Sequence, residues 1–162
     1  MAQKLSFDTG IQEFEINDNA LLKFNPSDPN VYKRFFETAE KISEIEKDME
    51  NKIHSFDNLL NEKGEQIGGE KVIELLYNID TEIKEQLKYT FGEDNDFDKM
   101  LGNVNLMAMC TNHERVITNF FNALMPIISK GAEMQLKNKA NNAVTFANAN
   151  REQRRAATKS KK

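Results

Sequence analysis

Apolar and polar positions alternate with period two near the start of the chain, then switch to a period between three and four. Phe14 and Ile16 flank Glu15, and Leu22 and Phe24 flank Lys23, the pattern of two half-buried strands. Asn17, Asp18 and Asn19 lie between them and favour a turn, because their side chains bond nearby backbone and tolerate left-handed conformations. Pro26 blocks further pairing, and Asp28 followed by Pro29 offers an N-cap with proline at the first helical position. From there Val31, Phe35, Ala39, Ile42, Ile45, Met49, Ile53, Phe56 and Leu60 recur at steps of three and four. That stripe predicts a helix running to about Asn61. Glu37, Glu40, Lys41, Glu44, Glu46, Lys47 and Glu50 fill its outer face. Ile45 breaks a strict heptad, so a packed bundle accounts for the stripe more simply than a coiled coil.

Gly64, Gly68 and Gly69 mark the connection to a second helix, predicted over Glu70 to Tyr89. Its stripe is Val72, Leu76, Ile79, Ile83 and Leu87, widened by Ile73 and Leu75. Phe91-Gly92 ends it with a glycine suited to a left-handed C-cap. An acidic loop, Glu93 to Asp98, leads into a short helical turn through Leu101. A third long helix is expected from Leu106 or Thr111 to Ser129, with a kink at Pro126. Beyond Gly131 the chain becomes Asn- and Ala-rich, and after Phe146 it has no apolar anchor, so disorder or a frayed helix is expected. The fold class is mainly α: a small helical bundle with a short N-terminal β-hairpin over 1–136, and a flexible basic tail over 137–162.

Composition narrows the function. At 162 residues the chain reads as one domain with a tail, and its 39% apolar and 30% charged shares suit a modest core in a soluble protein. The start, MAQKLSFDTG, has no apolar run of the secretory kind. The longest apolar run, Leu106 to Cys110, is far short of the roughly 20 residues a membrane helix needs. The single cysteine rules out an internal disulfide and fits a reducing cytoplasm. The net charge of −4 hides a split: from Lys137 onward eight Lys or Arg face one acid, Glu152, whereas the first 136 residues hold 14 basic and 25 acidic side chains. Acidic body and basic tail are separate electrostatic objects, the tail being either a solubilising end or a segment with its own partner.

No motif carries catalysis. Cys110 and His113 would share a face on a helix, but a nucleophilic pair needs an orienting third group and a zinc site needs three or four ligands. Cys110 is expected in the core. Asp94, Asp96 and Asp98 imitate the start of a calcium loop, yet Lys99 stands where glycine is needed and Asn105 where a bidentate Glu is needed. Helix capping suits them better. GEQIGG at 64–69 lacks the ending of a phosphate-binding loop. Arg151, Arg154, Arg155, Lys159 and Lys162 would align along one face of a helical tail, a spacing that suits RNA, phosphate or an acidic protein surface. The acidic body opposes a nucleic-acid role. Phe35-Phe36 and Phe120-Phe121 each widen the apolar arc of their helix, and Met100, Met107, Met109 and Met125 add deformable surface. Either a binding groove or a well-filled core accounts for them.

Three stretches carry a resemblance. FEINDNALLKFNPSDP (14–29), FGEDNDFDKMLGNVNLMAM (91–109) and REQRRAATKSKK (151–162) resemble the opening hairpin with its Asn-Pro-x-Asp lead, the Phe-Gly and Gly-Asn-x-Asn element, and the basic ending of the siphophage and prophage tail assembly chaperones. That family often has more aromatics where Leu106-Met107-Ala108-Met109 stand here. The resemblance implies a non-enzymatic protein of the host bacterial cytoplasm that coats the tape measure protein before the tail tube polymerises, and that is absent from the finished particle. Client contacts are then expected at Phe35, Phe36, Phe120, Phe121, Leu124 and Met125. The tail tube protein and further copies of the chain are secondary partner candidates, and neither cofactor nor membrane is expected. The alternatives are a structural tail completion or connector protein of the virion, and a small RNA-binding regulator acting through the basic tail.

Overall fold

The computed structural model describes residues 1–159, and for much of 138–159 the backbone alone. Its elements are β1 (Gln12–Ile16), β2 (Ala20–Phe24), α1 (Pro29–Ser55), α2 (Gly68–Phe91), α3 (Phe97–Met100) and α4 (Val116–Lys159). The chain is mainly helical, with the expected antiparallel hairpin in front. No helix among the described residues is long and apolar enough to cross a membrane.

The hairpin forms as its alternation predicts. Phe14 stands opposite Leu22 and Ile16 opposite Ala20. Asn17 and Asp18 both take positive φ, 49° and 58°, the requirement at the centre of a type I′ turn, and the Asn19 N–H donates to the Ile16 carbonyl at 2.9 Å. Leu22 and Phe24 are buried against the helices. On the far edge of β2, Asn95 takes the place of a third strand. Its Oδ1 accepts from the Lys23 N–H at 2.9 Å, and its Nδ2 donates to the Lys23 and Phe91 carbonyls at 3.1 and 2.8 Å. Asn95 is buried, so Asn95→Leu removes the partner of the part-buried Lys23 N–H and carbonyl and of the buried Phe91 carbonyl. The expected loss is about 2–3 kcal/mol in a urea melt, with the slope unchanged.

Asp28 caps α1 as expected, its carboxylate accepting from the Asn30 N–H at 2.9 Å. The helix stops at Ser55, short of the predicted Asn61. Asn58 turns left-handed at φ 62°, and the Asn61 side chain accepts from the Lys63 and Glu65 N–H groups, local bonds that compete with a helix. Leu60 leaves the stripe to bridge Gln66 and is exposed. Gly68 passes so close to the Phe56 carbonyl that a side chain there would collide. The connection therefore folds back on itself, and α2 starts two residues earlier than predicted.

α2 returns alongside α1, with the Thr38 and Thr90 hydroxyls bonded at 2.8 Å in the interior. Ile79, Ile83 and Leu87 are buried as predicted, but Ile73 points into solvent. Gly92 ends the helix at φ 111° and ψ 148°, a mirror-extended conformation rather than the expected left-handed helical cap. Only glycine adopts it readily. Asp96 then caps α3 by accepting from the Lys99 N–H at 3.1 Å.

The third long helix begins at Val116, ten residues after Leu106 and five after Thr111, the two expected starts. Gly102, Asn103 and His113 all have positive φ, and Asn105 Oδ1 accepts from the Met107 N–H at 2.8 Å, so residues 101–115 stay non-helical. Leu106 and Met107 become a buried plug. Its carbonyls receive the first amides of α4, Val116 to Ala108 at 3.0 Å and Ile117 to Leu106 at 2.9 Å, while the Arg115 guanidinium donates to Met107. The Asp80 carboxylate accepts from the Leu106 N–H at 2.8 Å and from Lys84 Nζ at 2.7 Å, and Lys84 also reaches Asp98 at 2.6 Å. Burial by itself would lower the Lys84 pKa, but hydrogen bonds and charge from Asp80 and Asp98 outweigh it and raise it above the ordinary lysine value. The Lys84 ammonium thus ties α2 to α3, and its partner Asp80 ties α2 to the plug.

α4 runs continuously through Pro126, whose exposed position leaves the Asn122 carbonyl open to water. Five phenylalanines from all four helices form a closed circuit at the centre. Phe91 meets Phe35, Phe35 meets Phe121, Phe121 meets Phe120, Phe120 meets Phe97 and Phe97 meets Phe91, at centroid separations of 5.0–6.4 Å. Phe24 and Phe14 join it from the hairpin.

Candidate functional site

α1 and α4 meet along Phe35, Ile42, Ile117 and Phe121 and leave a furrow on their solvent side. Ala39, Ser43 and Glu46 of α1 and Thr118, Phe121 and Asn122 of α4 line it, around a volume of about 200 Å³. Helical spacing continues these rows through Phe36 on α1 and Met125 on α4. Both are exposed, at 56% and 43%. Glu46 lines the furrow, and Glu40 and Lys47 are exposed beside it on α1, so the furrow combines an apolar strip with a charged margin.

The six expected client contacts divide here. Phe35, Phe120 and Leu124 are buried core residues and none lines the furrow. Phe91 and Phe97 of the neighbouring helices cover the first two, and Phe120 shows only an edge, in a second groove on the other side of α4. Phe36 and Met125 are free, and Phe121 is half-buried with an edge in the furrow. The doublets are thus each part core and part surface. Sequence periodicity finds the arc but not its border, which is set by the rings facing it.

α4 does not end at Ser129 as expected but continues through Lys159, into the stretch expected to be disordered or a frayed helix. Arg151 and Arg155 are exposed one turn apart on it. The side chains of Arg154 and Lys159, and all of Lys162, lie outside the described residues. Where α4 passes the hairpin exit, Gly131 lies directly against the Pro26 carbonyl and the Tyr32 hydroxyl, and that hydroxyl donates to Pro26 at 2.5 Å. Burial, with help from the Asp28 charge and against a Ser27 hydrogen bond, pushes the Tyr32 pKa up.

Cys110 and His113 do not share a helical face. They sit in a turn in which the His113 N–H donates to the Cys110 carbonyl at 3.0 Å. Cys110 is half-buried rather than core, and lines a second groove beside the hairpin turn. His113 is exposed, and His54 faces solvent near Asp57. Of the three aspartates, Asp96 caps α3, Asp98 binds Lys84 and Asp94 is exposed. No group of three metal-ligating side chains gathers among the described residues. The residues that sequence reasoning missed are Asn95 and Lys84, whose partners lie across the fold.

Comparison with protein-family models, with curated proteins and with solved structures returns no match.

Proposed function

We propose that this chain is a non-enzymatic helical chaperone of phage tail assembly, working in the host bacterial cytoplasm on the tape measure protein before the tail tube forms. The α1–α4 furrow carries this reading: it offers an apolar floor, with Phe36 and Met125 exposed on its two sides. An amphipathic client helix lays its apolar face into such a groove, anchored at positions one turn apart. Glu46 in the furrow and Glu40 beside it favour a client with basic flanks. The resemblance of residues 14–29, 91–109 and 151–162 to the tail assembly chaperones supplies the identity of the client. Weak binding per copy suffices, because many copies along one long client act through local concentration and remain displaceable.

The test pairs Phe36→Asp with Met125→Asp in the full chain. Both positions are exposed, so helix content and melting temperature should stay unchanged. Capture of the co-expressed tape measure protein should fall at least about tenfold, the effect of losing about 1.4 kcal/mol at an anchor. Phe120→Asp does not discriminate, since Phe120 belongs to the core and its loss unfolds the bundle. Mass spectrometry of purified particles separates the structural alternative. A stoichiometric amount of this chain in finished particles would make it a tail component.

A further inference from the structure

The larger apolar groove lies at the other side of α4. Ile16, Leu101, Val104, Cys110, Val116 and Phe120 surround a volume of about 400 Å³, with Glu15 at the rim. Val104 is itself exposed at its edge. Elsewhere on the same chain an apolar segment has no cover: Leu5 is 84% and Phe7 74% exposed, and no strand or helix includes them. We infer that Leu5 and Phe7 of one copy seat in this groove of a second copy.

Reach prevents the two residues from entering the copy's own groove together. The Asn25 side chain donates to the Thr9 carbonyl at 3.0 Å, and Gly10, at φ 70°, lies against Asn25 with its N–H on Asp8. Thr9 is therefore pinned at the open end of the hairpin, whereas the groove sits at its turn end, past Ile16. The strand between spans about 13 Å, four steps of roughly 3.3 Å. Phe7, two residues from the pin, reaches at most about 7 Å, and Leu5 about 14 Å when fully extended. Both cannot enter together. A second copy has no such restriction.

Charge agrees with this occupant. Glu13 is held by Lys23 at 2.7 Å, whereas Glu15 at the groove rim takes part in no ion pair among the described residues. Lys4 precedes Leu5 on the incoming segment and is positioned to meet it. The contact uses two different patches, so a single segment in a single groove extends into rings or open chains, whereas two copies that exchange segments reciprocally close as a twofold dimer.

The experiment uses sedimentation of the full chain at rising concentration, together with the rate at which a thiol reagent modifies Cys110, the single cysteine and part of the groove wall. Wild type should form concentration-dependent oligomers in which Cys110 reacts more slowly. A Leu5→Ser/Phe7→Ser variant and, separately, Val104→Asp should each sediment at the monomer mass of 18.6 kDa. Cys110 in the segment variant should react at a concentration-independent rate. All these positions are exposed, and unchanged circular dichroism verifies the fold. Mixing the two variants should restore heterodimers and stop there, because only one intact segment and one intact groove remain. Three results would overturn the inference. They are a monomeric wild type, oligomers that survive loss of Leu5 and Phe7, and a monomer whose Cys110 is shielded by its own segment.

Discussion

Replacing Gly131 by alanine is expected to destabilise the fold by about 3 kcal/mol or more, although the same change in an open helix gains up to about 1 kcal/mol. The obstacle is backbone. A Cβ at this position meets the Pro26 carbonyl and crowds the Tyr32 hydroxyl bonded to it. Neither can retreat easily, since Pro26 leads from β2 into the Asp28 cap of α1. α4 must therefore lift away from the hairpin exit, opening the contacts that Ile127 and Ile128 make with the core. Gly69→Ala is the control: it lies in the first turn of α2 with nothing within 4 Å, so alanine there should stabilise by about 0.5–1 kcal/mol. Opposite signs from two helical glycines in one thermal melt would establish the close approach. Equal signs would dismiss it.

Lys84→Met should cost about 3 kcal/mol, the lower range for breaking a buried ion pair, because one of its two partners faces water. In a chain of this size that lowers the melting temperature by roughly 6–12 °C. The Asp80 carboxylate would be left in the interior with only the Leu106 N–H to satisfy it. Asp98→Asn removes the exposed partner alone and should cost less than about 1 kcal/mol. The pH dependence has a definite sign. The Lys84 pKa is higher folded than unfolded, so its contribution is complete below the ordinary lysine value of 10.5 and is lost as pH rises through the folded value. Wild type should therefore lose stability above about pH 10.5 relative to Lys84→Met, whose curve lacks this step.

Local chemistry was legible in the residues themselves. Alternation around Asn17-Asp18 and the Asp28-Pro29 cap rest on local interactions and stand where the pattern places them, whereas of Asp94, Asp96 and Asp98, all read as capping residues, Asp96 alone caps α3. What the pattern could not give depends on partners far along the chain. Asp80 and Lys84 look like any solvated pair one helical turn apart, and only α3 and the plug bury them. Leu106 to Met109 reads as the start of a helix because it is apolar. It folds instead as a tight turn, the Ala108 N–H donating to the Asn105 carbonyl at 3.0 Å, with left-handed residues on both sides, Gly102 and Asn103 before it and His113 after it. For the candidate site the arcs of Phe35-Phe36 and Phe120-Phe121 were visible, while the outward turn of Phe36 was decided by where Phe91 and Phe121 meet Phe35. Cys110 reads as a small core residue in the sequence, whereas the groove it lines exists only once the hairpin turn lies beside α4.

The length of α4 changes what its far end is. Past Gly131 no residue whose burial is described is buried, yet the backbone remains helical to Lys159, roughly 42 Å at 1.5 Å per residue. An isolated segment of that composition would have to nucleate its own first turn, the unfavourable step in helix formation, whereas propagation adds one hydrogen bond per residue fixed. Here the nucleus is already formed in the core, where Leu106 and Ala108 receive the first amides of the same helix. The basic arm therefore inherits its order from the body by propagation, and melting of the body returns the arm to coil.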